Sequence, residues 1–206
     1  MKKIYALILV AISLFTVMGL SACGKKTYSE ETVAVVDEAE ITDEDIANRR
    51  LYNEIMNEVH QKQFNETLYE EDAAEQIKKH SLPTDEKEIL ETLIKEEVIR
   101  QELGDDALSL EEIQKTVTDE FELIKSSQEN YYKNIMEVIR IKGVTEEDYL
   151  SLTSLYGYGL YNITKIRRNY SEKDYDKDSK QSFDEQFDEY VNGLIADADI
   201  ESVNNR

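Results

Sequence analysis

The sequence predicts a mainly α protein, and three observations carry that prediction. One proline, seven glycines and no tryptophan in 206 residues suit long helices better than a many-stranded sheet. Apolar residues recur at helical spacing along most of the chain. Four segments open with a Ser or Thr followed three residues later by an acid: Thr42 and Asp45, Ser109 and Glu112, Thr145 and Asp148, Ser182 and Glu185. That pairing is the capping box, which satisfies backbone N–H groups at a helix start.

The elements follow in order. Met1-Lys2-Lys3 is a positive n-region and residues 4–20 are apolar apart from Ser13, Thr16 and Gly19, the layout of a secretory signal. The run is short for a permanent span of about 20 apolar residues. Residues 23–32 read as a spacer. Val33-Ala34-Val35-Val36 is a compact β-prone run, followed by a turn at 37–40. A helix starts at Thr42, with Ala47, Leu51, Ile55 and Val59 as one row. Residues 61–80 are polar and less periodic, with a short helix expected at 73–79, and Pro83 punctuates the region.

Residues 85–103 form a helix with Leu90, Ile94 and Val98 in one row and Gly104 placed to end it. The Ser109 box opens a stripe of Ile113, Val117, Phe121, Ile124, Tyr131, Ile135 and Val138, interrupted by Gln128. Read as one helix of roughly 30 residues, it would span about 45 Å, too long for one neighbour to cover. The Thr145 box opens a helix carrying Tyr149, Leu152, Tyr156, Leu160 and Ile163. The polar 171–181 stretch reads as a linker. A last helix carries Phe183, Phe187, Tyr190, Val191, Leu194 and Ile195, and residues 200–203 suit a strand.

Leu20-Ser21-Ala22-Cys23 resembles a bacterial lipobox, and Cys23 is the only cysteine. The resemblance implies lipid on the Cys23 thiol, cleavage before it, a signal peptide at 1–22 and a protein held on the outer face of the bacterial cell membrane. Two acyl chains suffice for stable anchoring, since each buried CH₂ contributes about 0.8 kcal/mol. The remaining chain has no thiol for a disulfide or a thiolate metal site.

The formal net charge is −21, more negative still once Lys2 and Lys3 are cut away. Such an excess argues against nucleic acid as a partner, because phosphate binding relies on Lys and Arg. No Gly-rich phosphate loop, Gly-x-Ser-x-Gly elbow or His-Glu-x-x-His pair is present, and no nucleophile–base pair stands out. A non-enzymatic protein without a cofactor, other than the lipid, is expected.

Four segments in order resemble the SurA/PrsA-type extracytoplasmic chaperones: "VAVVDEAEITDEDI", "ILETLIKEEVIRQELGDDALSLEEI", "IKGVTEEDYLSL" and "FDEYVNGLIADADIESV". The resemblance implies a SurA N-terminal-like helical domain at 33–203, with a minor two-stranded pairing of its N- and C-terminal segments. Foldases of this kind carry a parvulin isomerase domain where this chain has only the 171–181 linker, so isomerase activity is not carried over. The implied partners are unfolded or extended segments of secreted polypeptides. The rival readings are an accessory lipoprotein that docks one dedicated folded partner and a calcium-responsive binding module.

Thirteen tyrosines suit a binding surface, since Tyr joins apolar area to a polar tip. In "LTSLYGYGLYNI", Leu155, Tyr156, Tyr158 and Tyr161 cannot all face one core, which makes them the candidate peptide-binding residues; Tyr156 and Leu160 also suit core packing. Asp174, Asp176, Asp178, Ser182 and Glu185 match the spacing of an EF-hand calcium loop, but Ser179 stands where that loop requires glycine. The capping box competes for Ser182 and Glu185. His60 and His80, with Glu58 or Glu75 nearby, read as isolated surface residues rather than metal ligands.

Overall fold

Two runs of β-prone residues meet across a two-residue turn to start the fold. The computed structural model describes residues 28–203; Cys23 and the signal segment lie outside them. Strand β1 (Thr32–Val36) pairs antiparallel with β2 (Ala39–Thr42), with Val36 opposite Ala39. The turn is Asp37-Glu38 alone, and Asp37 adopts a φ of 55°, a left-handed conformation that Asp tolerates better than most residues. Strand β3 (Ile200–Ser202) pairs antiparallel with the other edge of β1, giving the order β2-β1-β3. The pairing of the terminal segments is therefore present within a three-stranded sheet. The unexpected strand is β2, because Ala39 and Glu40, expected to complete a turn, fold back on β1 instead.

Seven α-helices follow among the described residues. Helix α1 (Asp43–Thr67) begins at the Thr42 box: Thr42 Oγ1 accepts from the Asp45 N–H at 3.2 Å, and Asp45 Oδ2 accepts from the Thr42 N–H at 2.8 Å. It runs well into the polar stretch because that end has partners elsewhere. Asn134 donates to Glu66 at 3.0 Å, and Lys62 pairs with Glu137 at 2.9 Å. Helix α2 (Glu70–Lys79) starts earlier than expected. The following loop is held by α1, whose Asn57 both donates to Leu82 O at 2.9 Å and accepts from Leu82 N–H at 2.8 Å. Asp85 caps α3 (Glu86–Leu103) by accepting from the Lys87 and Glu88 N–H groups. Gly104 ends the helix at φ 52°, followed by a 3₁₀ turn, Gly104–Asp106.

The long helix expected after Ser109 is two helices, α4 (Leu110–Ser127) and α5 (Glu129–Ile141). Gln128 leaves the helical region at φ −130° and ψ 58°. The break lets the apolar face of α5 turn back onto α1, where a straight rod would have left it uncovered. Helix α6 (Glu146–Lys173) and helix α7 (Phe183–Asp197) complete the set. The linker is therefore shorter at its start than the 171–181 stretch suggested, because α6 continues to Lys173. Buried Tyr170 fastens that end, lying 4.9 Å from the Tyr190 ring and 5.7 Å from Phe187.

From Glu31 onward the chain forms one compact unit. Its core has three parts. Ile55, Val59, Phe121, Ile135, Val138 and Tyr149 join α1, α4, α5 and α6. Ile99, Ile166, Phe187 and Val191 join α3, α6 and α7. Ala34, Val36, Ile41 and Val98 seat the sheet on α3. Each such fully buried aliphatic side chain contributes about 1.5–3 kcal/mol. Helices α3 and α6 serve more than one of these parts, so the space beside them is held by rigid walls.

Candidate functional site

Three helices and one strand leave a cleft of about 170 Å³ between them. Helical spacing builds each wall. Asp45, Asn48 and Arg49 come from α1; Leu93, Glu96, Glu97 and Arg100 from α3; Leu152, Leu155, Tyr156, Gly159 and Asn162 from α6. Each set falls at i, i+3 and i+4, running on at i+7 in α3 and at i+7 and i+10 in α6, which keeps it on one face. Tyr158 joins from α6, and Glu40 and Ile41 of β2 close one end. Capping by Thr42 fixes where α1 begins, and so fixes the position of Asp45 and Arg49 at the cleft.

The most buried charges of the cleft are the pair of Arg49 with Glu96. The guanidinium binds both carboxylate oxygens, at 2.8 and 2.6 Å, with side-chain exposures of only 6% and 13%. Two parallel charge-assisted bonds give such a pair fixed geometry. The same guanidinium lies 5.2 Å from the Tyr156 ring centre, and Tyr156 stacks on Tyr52 at 4.4 Å. Burial pushes the Tyr156 hydroxyl above its ordinary pKa, with Arg49 opposing and Glu96 reinforcing the shift. Arg100 bonds to Glu97, which raises its pKa against the effect of partial burial. Both cations of the cleft thus have a carboxylate partner.

Three of the four sequence-predicted binding residues, Leu155, Tyr156 and Tyr158, line this cleft. Leu155 keeps 40% of its surface exposed there. Tyr161 does not: its hydroxyl donates to Glu120 of α4 at 2.7 Å. Burial, followed by that hydrogen bond, pushes its pKa up to about 12. Leu160, expected to pack inward, is 46% exposed. It is not part of the cleft lining, although Tyr156, one turn earlier on α6, is. Asn162 is almost fully buried and accepts from Leu108 N–H at 2.8 Å, tying α6 to the loop before α4.

Sequence reasoning missed Arg49, Glu96 and Gly159. Signals existed for each. Arg49 lies one turn from Ile46 and Tyr52, and Glu96 one turn from Leu93 and Ile99, positions at which a charge drawn into the interior requires a partner. Gly157 and Gly159 interrupt a helix that each destabilises by about 1 kcal/mol relative to Ala, which points to a close approach. A Cβ on Gly159 would fall on the Glu96 carboxylate, and one on Gly157 would meet Ile113 Cγ2 at 3.2 Å.

The other candidates are accounted for by different partners. In the 174–185 loop, Ser182 and Glu185 form the capping box of α7, which lowers the Glu185 pKa. Asp176 Oδ1 accepts from Asp178 N–H at 2.9 Å. Gln186 reaches in from α7, accepting from Asp176 N–H at 3.1 Å and donating to the Asp176 and Gln181 carbonyls at 3.0 and 3.1 Å. Asp174, Asp176 and Asp178 are exposed. His60 and His80, expected to be isolated, instead lie 6.2 Å apart edge to face, with Phe64 beside both. The return of the chain after α2 brings them together. Glu58 pairs with Lys142 at 2.8 Å, and Glu75 is exposed on α2. Among the described residues no three His, Cys, Asp or Glu side chains group as a metal site, and no helix is long and apolar enough to cross a membrane.

Comparison with known proteins gives one match. The family model described as a SurA-like N-terminal domain matches residues 1–152. No curated protein and no solved structure matches. The match spans β1 through the first turns of α6 and stops just before Leu155, so the α6 wall of the cleft beyond Leu152 lies outside it. With the four ordered segments, the mainly helical architecture and a match over most of its length, the chain belongs to the family of SurA-like N-terminal domains.

Proposed function

We propose that this protein is a lipid-anchored, extracytoplasmic chaperone-like module that binds apolar side chains of extended or unfolded secreted polypeptides in the cleft between α1, α3 and α6. The observation that carries this reading is the cleft itself: it is lined by Leu93, Leu152, Leu155 and Tyr156, with Leu155 exposed in it, on walls anchored in the core. Exposed apolar surface of this kind marks a binding site, and a pre-formed site avoids the ordering cost of assembling one.

The lipobox-like segment ending at Cys23 supports the anchor, which would keep the module at the outer face of the cell membrane. The short loop between Lys173 and Phe183 supports a chaperone role without isomerase activity. The test uses the purified protein with an unfolded client. Aggregation of the client is expected to be suppressed at a few-fold molar excess, with no acceleration of prolyl isomerisation. Absence of suppression, or recovery of one stoichiometric folded partner from cell envelopes and no unfolded clients, would overturn the reading. Labelling with radioactive palmitate is expected to mark the wild-type chain and not Cys23→Ala.

A further inference from the structure

Helix α1 holds the segment between α2 and α3 by its main chain. A proline disfavours helix at the residue before it, and residues 81–84, which contain Pro83, belong to no helix or strand. Arg50, Asn53 and Asn57 fall at i, i+3 and i+7 on one face of α1. Arg50 Nε donates to Thr84 O at 3.2 Å, Asn53 Nδ2 to Pro83 O at 2.6 Å and Asn57 Nδ2 to Leu82 O at 2.9 Å. Asn57 Oδ1 also accepts from Leu82 N–H at 2.8 Å, so its carboxamide grips both main-chain groups of one residue. Leu82 packs against the core cluster that holds Ile55 and Val59, while Ser81 and Thr84 are exposed. Among the described residues no backbone–backbone hydrogen bond fastens 81–84, which leaves the segment to these side chains.

Asn53 does not repeat the grip of Asn57. Its Oδ1 is buried with no hydrogen-bond partner, and the residue as a whole is only 2% exposed. The residue it holds is the only proline in the chain, which has no N–H to give. A buried acceptor left unmade costs free energy that a donor brought to it recovers. Main-chain bonds of this kind give affinity without regard to sequence, and a pocket for one side chain adds selection. On the reading that the protein binds extended polypeptide, we propose that residues 81–84 are an exchangeable strap whose place along α1 is taken by a client segment. The client sets an apolar side chain where Leu82 packs. Its next residue, any but proline, donates its N–H to Asn53 Oδ1. Depressions border the strap toward α3, lined by Glu88, Thr92 and Lys95, and toward α6, lined by Tyr156 with Tyr52 and His60. An incoming chain therefore has access to the strap from either side.

The experiment measures binding of the full chain to three fluorescent peptides that share a Ser-Leu-Ala-Thr centre and differ only at its alanine, kept or replaced by N-methylalanine or proline. The alanine peptide alone carries an N–H there and is expected to bind about fivefold more tightly than the other two, the worth of one recovered hydrogen bond. Leu82→Ala loosens the strap and is expected to strengthen binding of the alanine peptide. Pro83→Ala gives the strap the missing N–H and is expected to weaken that binding about fivefold. Melting curves verify that both variants fold. The alanine preference is expected to persist in Leu155→Asp, which alters the cleft and leaves this face of α1 intact; its loss there assigns the preference to the cleft and overturns the strap. Equal binding of the three peptides, or unchanged affinity in both strap variants, also overturns the strap while the cleft reading stands. Failure of every peptide to bind, to wild type and to Leu82→Ala alike, overturns polypeptide binding itself, and this inference with it.

Discussion

Gly159 of α6 runs directly against the Glu96 carboxylate of α3, with no room between them for a Cβ. That approach is what allows Glu96 to meet Arg49 with both oxygens. Gly159→Ala is expected to displace Glu96 and leave a 6%-exposed guanidinium without its partner. Breaking a buried pair costs about 3–5 kcal/mol, and the better helix propensity of Ala returns about 1 kcal/mol. Urea denaturation should therefore show a net loss of about 2–4 kcal/mol. Gly193→Ala in α7, where a Cβ meets nothing within 4 Å, should instead stabilise by about 0.5–1 kcal/mol.

The cleft and the general surface of α6 are separable by two leucines. Leu155→Asp places a carboxylate on the apolar lining, and Leu160→Asp places one on exposed surface outside it. Both residues are at least 40% exposed, so both variants should stay within about 0.5 kcal/mol of wild type. Suppression of client aggregation is expected to fall for Leu155→Asp alone. Light scattering with matched protein concentrations reads the difference.

The histidine pair gives a pH dependence. Burial, followed by the nearby His80, depresses the His60 pKa below its ordinary 6.5. His60 Nδ1 is buried with no hydrogen-bond partner, in a shallow pocket lined also by His80 and Lys79. The folded state therefore favours neutral His60. Its contribution is complete above the unfolded value and is lost as pH falls through the folded one, because the unfolded chain binds the extra proton. Thermal stability is expected to decline as pH drops below about 6.5. His60→Gln should flatten that part of the profile; an identical slope in the variant would remove His60 as the cause.

The C-terminal strand closes the sheet. Val203 N–H donates to Val33 O at 3.0 Å, Asp37 N–H donates to Asp199 O at 2.8 Å, and Ile200 packs against the cluster of Ala34, Val36 and Val98. Truncation after Ala198 removes all of these and leaves an edge of β1 unpaired. Each lost backbone bond is worth about 0.5–1.5 kcal/mol, so a lower melting temperature and faster proteolytic cleavage near β1 are expected. A truncated chain as stable and as resistant as wild type would show that the strand is dispensable.

The elements were largely legible because their signals are local. All four Ser/Thr capping boxes form as the spacing predicts, since each depends on backbone and side-chain atoms within three residues. Gly104 likewise ends α3 where its left-handed preference allows. The break at Gln128 was visible only as a polar interruption. Whether such a residue bends or merely decorates a helix depends on which neighbour needs covering, here α1. The length of α1 shows the same limit. Residues 61–67 lack an apolar stripe, and their helix is held by Glu66 and Lys62 reaching Asn134 and Glu137 some seventy positions away.

The sequence by itself determined the helical class, the starts of the main helices and the apolar patch at Leu155, Tyr156 and Tyr158, because periodicity and capping chemistry are written in neighbouring residues. Only the tertiary structure decided that Tyr161 turns to Glu120 while Leu155 faces a cleft. It also decided that Arg49 and Glu96, 47 positions apart, become one buried pair, and that His60 meets His80. The physical reason is that desolvation and charge pairing are properties of a shared volume, and a volume is shared only after distant helices have packed.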